Sequence, residues 1–327
     1  MKFVVLGSGA WGTAVAVHLA HCQHETFLIP RSDERAREMR QANENTRYLP
    51  HIPFPALLHV ETELGACISN CDALFLACPV KGLQSACELL KQVDLPPDLW
   101  IISLIKGMDR LSLKRPSELI RGYFPSNHLA CLSGPTRALE FAMEKPAAMV
   151  LASSYDHTER LQAAISNDNV RIYRSTDLVG VEIGSCLKNI YALGAGILDG
   201  LNLGDNAKAA YLTRALKEMS ALGCALGGQR ESFYGLSGLG DLIATAQGSW
   251  SRNRIFGERF ARGESVELLT KELTVEGYWT LEGYDHLVCD KHLDAPILRG
   301  LYEVVYEKCP VEETIHHLMM RPLRYEF

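Results

Sequence analysis

Short apolar runs alternate with longer mixed stretches through the first half of the chain. Phe3–Leu6, Thr26–Ile29, Ala73–Cys78, Trp100–Ile105, Leu129–Leu132, Met149–Ala152 and Val170–Tyr173 read as strands. The segments between them have room for helices, and Ala10–His21, Leu83–Gln92 and Leu161–Ser166 carry helical patterns. Runs that are apolar at successive positions suit strands buried on both faces. The alternation therefore predicts βαβ units around a mostly parallel, doubly wound sheet. The proline-rich stretch from Tyr48 to Pro55 reads as an irregular excursion. After Tyr173 strand-like runs nearly vanish. Helical patterns follow at about 177–198, 206–223, 254–262, 279–290 and 311–319, with Asp205 as the expected N-cap of the second. The expected organisation is an α/β domain over 1–177 that runs without a flexible linker into an all-α domain over 178–327.

Composition agrees with two domains, because single cores stop growing at roughly 250–300 residues and this chain has 327. A net charge of −6 argues against non-specific nucleic-acid binding but leaves a small anionic substrate open. The ten cysteines include no Cys-x-x-Cys pair, although Cys67 and Cys71 are expected to share one face of a short helix. His316 and His317 are adjacent, without companions at metal-ligand spacing, so no metal is expected. This usage suits a reduced, cytoplasmic protein. The stretch from Lys2 to Cys22 faintly imitates a secretory signal. Three glycines and a histidine just before the cysteine argue against it, and no run is long enough for membrane insertion.

Several residues could carry chemistry. Gly7-Ser8-Gly9-Ala10-Trp11-Gly12 follows a strand and opens a helix, the arrangement of a Rossmann-type dinucleotide turn. A ribose-binding carboxylate is expected about 20 residues later; Leu28-Ile29-Pro30-Arg31-Ser32 occupies that place. Arg31 and Ser32 suit a 2′-phosphate, which favours NADP, whereas Asp33 and Glu34 could serve NAD and Arg31 could simply be solvated. Cys78-Pro79-Val80, Lys106-Gly107 and Ser133-Gly134-Pro135-Thr136 follow other strands, where ligands of open parallel sheets bind. Lys106 would then face the nicotinamide end; a surface lysine is the plain alternative.

Lys188 is the only charged side chain between Glu182 and Asp199. It is either a structural ion pair or a functional group, and Gly184, Ser185 and Gly194 beside it permit close approach. Three glycines in Gly235–Leu242 suggest a tight turn that brings Asp241 against another backbone, unless Asp241 caps a helix. Ser251-Arg252-Asn253-Arg254 offers a guanidinium with neutral donors, good chemistry for phosphate, or else a solvated helix start.

Taken together, Gly7–Gly12, Lys106-Gly107, Ser133–Thr136, Val181–Gly196, Gly204–Ala210, Gly235–Asp241 and Ser251–Gly257 resemble the NAD(P)-dependent glycerol-3-phosphate dehydrogenases of the bacterial soluble type. The resemblance covers essentially the whole chain. It implies that Lys188 is the catalytic lysine, Lys106 a second active-site lysine and Asp241 the carboxylate beside the first. It further implies substrate contacts at Lys106, Gly134, Thr136, Lys188, Asp241, Ser251, Arg252 and Asn253. Cofactor contacts would include Lys106, Ala138, Arg252, Thr274 and Glu276 besides the glycine turn and Arg31. Arg137 stands where a more neutral residue is expected, and Thr274 replaces the family's valine. The implied reaction is reversible reduction of dihydroxyacetone phosphate by NAD(P)H to sn-glycerol 3-phosphate, the glycerophospholipid backbone. Other readings are a two-domain dehydrogenase of a β-hydroxy acid or ketopantoate, and a non-catalytic dinucleotide sensor. A homodimer is left open.

Overall fold

Lys2–Leu6 (β1) alternates its side chains between two cores, and both are closed to water. Phe3 and Val5 join one buried cluster with Ala73 and Phe75; Val4 and Leu6 join another with Leu74 and Leu76. A strand with two buried faces needs apolar residues at every position, hence the continuous runs in the sequence. The computed structural model describes residues 1–110, 112–323, 325 and 326. Its further strands are Glu25–Ile29 (β2), Glu44–Asn45 (β3), Leu49–Pro53 (β4), Leu58–Val60 (β5), Ala73–Leu76 (β6), Trp100–Ser103 (β7), His128–Ser133 (β8), Ala147–Ala152 (β9) and Val170–Ser175 (β10).

Eight of them form one sheet in the order β10-β9-β8-β7-β6-β1-β2-β5, parallel throughout except between β8 and β9. The chain leaves β1 for β2 on one side and reaches β6 on the other. The strand order therefore reverses at β1, and the crevice for ligands opens beyond its carboxyl end.

Several expectations need correction. Leu49–Pro53 pairs antiparallel with Glu44–Asn45, so the Tyr48–Pro55 stretch is not irregular. Its prolines disguise a short edge strand, where a missing N–H costs little. The helix Gly204–Ala225 takes Leu203 as N-cap, and Asp205 sits in its first turn, where its charge complements the helix dipole. The helix Leu64–Ile68 ends before Cys71, so the two cysteines share a buried cluster but not a helix face.

The chain divides into two compact units, Met1–Ser185 and Cys186–Phe327. The division falls inside one helix, Leu178–Gly200. In the first unit, the opening turns of that helix carry Glu182, which is 2% exposed. Its carboxylate accepts hydrogen bonds from Ser117 N (2.9 Å), Ser117 Oγ (2.5 Å) and Arg115 Nη1 (2.9 Å). Burial pushes its carboxyl up, and these donors pull the other way.

In the second unit, three glycines let two helices touch backbone to backbone. A Cβ on Gly196 would lie 2.0 Å from Arg254 O, one on Gly257 2.0 Å from Leu193 O, and one on Gly200 2.5 Å from Glu258 O. Leu178–Gly200 and Arg252–Ala261 can approach this closely only with hydrogen at those positions. Gly194 meets a side chain instead: its Cβ would sit 2.1 Å from Tyr211 Oη.

Glu218 is buried in the same unit and accepts from Tyr191 Oη (3.1 Å), Ile297 N (2.8 Å) and Leu298 N (2.8 Å). The two amides open the helix Pro296–Val305. Desolvation pushes its carboxyl up to about 7, against the opposing pull of those donors. A pKa raised on folding gives stability that is complete below the unfolded value of about 4.3 and lost as pH rises through the folded one. Wild type should therefore lose stability relative to Glu218→Gln between about pH 4.3 and pH 7, by on the order of 3 kcal/mol. Denaturation midpoints of both proteins at pH 5 and pH 8 check this; a constant gap would sink it.

Candidate active site

The glycine turn shows a division of labour. Gly7 has φ +114°, and a Cβ there would lie 2.9 Å from Ala77 C and O. A Cβ on Gly12 would sit 2.1 Å from Gly7 O and 2.7 Å from Ala77 Cβ. Both glycines serve the packing of turn, helix and β6. Gly9 is different: nothing lies within 4 Å of its Cβ position, so its backbone borders open space. The helix Ala10–His21 makes its first hydrogen bond from Thr13 N to Gly9 O (2.9 Å). The amides of Ala10, Trp11 and Gly12 precede that bond and form the donor-rich helix start that suits a pyrophosphate. Residues and space fit a dinucleotide here.

Arg31 is exposed just past β2. Ser32 Oγ accepts from Arg35 N (3.4 Å) and caps the helix Asp33–Ala42, with Asp33 and Glu34 in its first turn. The serine expected beside a 2′-phosphate is thus also a helix cap. Across the sheet edge, Lys106 Nζ donates to Gly134 O (3.0 Å), and Thr136 Oγ1 donates to the same oxygen (3.3 Å). These three residues come together at the carboxyl ends of β7 and β8. Gly134 has φ +151°, and its Cβ position is 3.0 Å from Ala148 O. Ala138 begins the helix Ala138–Ala142 and packs on the same cluster as Trp11. Arg137 precedes it and pairs with Glu140 at 3.4 Å.

The second unit holds the buried ion pair. Lys188 is 5% exposed and Asp241 1%. Lys188 Nζ donates to Asp241 Oδ1 (3.0 Å) and to Thr245 Oγ1 (2.8 Å). Thr245 Oγ1 in turn donates to Asp241 O at 2.6 Å. Asp241 supplies the opposite charge that a buried ammonium requires. It does not cap its helix, Asp241–Gln247. In the π-helical turn Leu236–Gly240 it is Gly238 that lies against another backbone: its Cβ would sit 2.1 Å from Phe233 O.

One residue beyond the lysine, Asn189 Oδ1 accepts from Asn253 Nδ2 (2.8 Å), and Asn253 Oδ1 accepts from Gly277 N (2.9 Å). A Cβ on Gly277 would lie 2.5 Å from Asn189 O, which explains the glycine after Glu276. Ser251 Oγ accepts from Arg254 N (3.3 Å) as N-cap of the helix Arg252–Ala261. Ser251 and Asn253 are buried while Arg252 between them is exposed. The helix start is thus anchored at both neighbours of the arginine. Glu276 opens the helix Glu276–Asp290, and Thr274 is exposed before it. Sequence reasoning missed Thr245 and Asn189. The first lies one helical turn from Asp241 and the second beside Lys188, signals too common to single out alone.

Known proteins similar to this chain span its whole length. A family model described as NAD-dependent glycerol-3-phosphate dehydrogenase N-terminus matches residues 2–159, and the corresponding C-terminus model matches 177–316. A glycerol-3-phosphate dehydrogenase [NAD(P)+] of Thiobacillus denitrificans is 39% identical, covering 100% of both chains. One from Thermus thermophilus is 38% identical over the same shares. The crystal structure of glycerol-3-phosphate dehydrogenase from Coxiella burnetii superposes with a TM-score of 0.91 at 30% identity, covering 98% of this chain and 99% of that one.

Proposed function

Since the chain belongs to the NAD-dependent glycerol-3-phosphate dehydrogenase family, and so reduces dihydroxyacetone phosphate to glycerol 3-phosphate with NAD(P)H, we propose how its residues share the work. Lys188 is the proton-transfer group. The observation that carries this is a buried ammonium held between the carboxylate of Asp241 and the hydroxyl of Thr245. During reduction Lys188 gives a proton to the oxygen on the central carbon, and during oxidation it takes that proton back. Asp241 balances its charge, and Thr245 fixes the direction of its N–H bonds. A positioned acid of this kind is worth roughly 10²–10⁴-fold in rate.

The bound cofactor supplies or accepts the hydride. The amides at the start of the Ala10–His21 helix hold its pyrophosphate, while Trp11 and Ala138 flank the turn. Arg31 meets a 2′-phosphate, which favours NADP over NAD. Thr274, Glu276 and Arg252 are further cofactor contacts. Lys106, Gly134 and Thr136 orient the substrate. Arg252 grips its phosphate, and Ser251 and Asn253 hold the helix start from which the guanidinium projects. Binding energy at the phosphate then fixes the position of the carbonyl. None of the ten cysteines is in a disulfide, and the reading puts the enzyme in the reducing cytoplasm.

The direct test is loss of NADPH absorbance when dihydroxyacetone phosphate is added, with a parallel run on NADH to rank the cofactors. Arg252→Ala should raise KM for the phosphorylated substrate by roughly 100-fold, the loss of a charge-assisted clamp worth about 3 kcal/mol. An unchanged KM would remove Arg252 from the phosphate site.

A further inference from the structure

Asn45 has no exposed surface, and its side chain makes four hydrogen bonds beside the glycine turn. Its Nδ2 donates to Ser8 O (2.8 Å), inside the turn, and to Thr13 Oγ1 (2.8 Å), in the first turns of the helix that follows. Its Oδ1 accepts from Arg35 Nη2 (3.3 Å) and from Tyr48 N (3.3 Å). One amide thus joins the pyrophosphate side of the cradle to the helix Asp33–Ala42, which starts beside Arg31. Both the donor and the acceptor ends of the amide are engaged, so its orientation is fixed.

The turn needs such an anchor. Two glycines and a serine between β1 and the helix leave the backbone many conformations. Gly7 and Gly12 are held by contact with each other and with Ala77. Gly9 borders open space on the side where a Cβ would project, so no side-chain contact restrains it there. The peptide joining Ser8 to Gly9 is tied from outside by Asn45 through the Ser8 carbonyl. A carbonyl turned inward to Asn45 directs the N–H of the same peptide plane, that of Gly9, the opposite way. The Gly9 N–H is then free to meet a phosphate on the side away from Asn45.

We infer that Asn45 is a positioning residue for the dinucleotide turn: it sets the Ser8–Gly9 peptide in the phosphate-binding orientation before cofactor arrives. The inference rests on the cofactor cradle described under the proposed function. Without Asn45 the turn must be ordered by the cofactor itself, and affinity falls by that cost. The chemistry at Lys188 is untouched once cofactor is saturating.

The test is cofactor titration by fluorescence on wild type, Asn45→Ala and Thr13→Val, each well below its melting temperature. Asn45→Ala should weaken binding of NADPH and NADH alike by about tenfold or more, as expected for a buried carbonyl that loses its partner. Thr13→Val, nearly isosteric, should weaken both by a smaller factor. At saturating cofactor, kcat and the KM for dihydroxyacetone phosphate should match wild type in both variants. A merely structural Asn45 would lower the melting temperature and leave these dissociation constants unchanged, and that result overturns the inference. Equal losses in kcat at saturation overturn it too. If Asn45→Ala does not fold, Thr13→Val decides by the same criteria. Wild type that binds neither nucleotide would instead overturn the cofactor cradle itself.

Discussion

Lys188→Ala should lower kcat by roughly 10²–10⁴-fold while NADPH still binds with unchanged affinity. The lysine touches Asp241 and Thr245, both in the helical unit, and none of the glycine-turn residues belongs to that unit. Loss of turnover with intact cofactor binding is therefore the signature of a proton-transfer role. The substitution also leaves the Asp241 carboxylate, 1% exposed, without its opposite charge. Breaking a buried pair from one side costs about 3–5 kcal/mol. A variant carrying both Lys188→Met and Asp241→Asn removes both charges and should recover much of that stability. It should stay as inactive as the single variant. Recovery of melting temperature without recovery of rate would separate the electrostatic cost from the chemical one. Near-normal turnover in Lys188→Ala would end the assignment.

Gly257→Ala, like Gly196→Ala at the same helix contact, is expected to have a large effect for a single methyl group. The added carbon would lie 2.0 Å from Leu193 O and 2.9 Å from Ile197 N, both backbone atoms of a long helix. No side chain can rotate away, so the helices Leu178–Gly200 and Arg252–Ala261 must separate. Overpacking typically costs about 1–3 kcal/mol, and contact with rigid backbone belongs at the upper end. The functional loss should be larger than the stability loss suggests. Asn189 and Asn253 join the same two helices by one 2.8 Å bond, and Asn253 also anchors Gly277. Separating the helices breaks that link and moves Arg252 away from Lys188's helix. A displacement of about 1 Å in a positioning group can cost on the order of 100-fold. We expect kcat/KM to fall by at least that factor, together with a lower urea midpoint. A variant with wild-type kinetics and stability would show that the helix contact is not tight.

How far the fold could be read in advance depended on how each element is buried. The seven anticipated strands lie in the main sheet, six as near-continuous apolar runs and β10 as an alternating edge strand. The pair β3–β4 was not legible because prolines hide it, and β5 has only three residues. The helix Asp33–Ala42 escaped because it buries only Ala36 and Met39, too few to mark a face. For the site, the glycine turn could be read directly, since it is local: strand, turn and helix are contiguous. The Lys188–Asp241 contact spans 53 residues, and no spacing rule predicts it. The family resemblance suggested that partnership; the fold supplies the geometry. Asn45 is the opposite case. Its four bonds reach Ser8, Thr13, Arg35 and Tyr48, and only the last is close in sequence. An asparagine in a loop gives no sign of such a role.

Glu182 limits how this protein can be dissected. A cut at residue 178, where strand patterns give way to helical ones, looks natural for expressing the helical half alone. Such a fragment would keep Glu182 but lose Ser117 and Arg115, which supply all three of its donors named above. Solvent would have to replace them, and the first turns of Leu178–Gly200 would fray. A fragment that begins after Ser185 avoids the stranded carboxylate and still contains Lys188, Asp241 and Thr245. The sensible seam for chimeras or split versions of this enzyme therefore lies within a helix, a turn or more past the place where the sequence changes character.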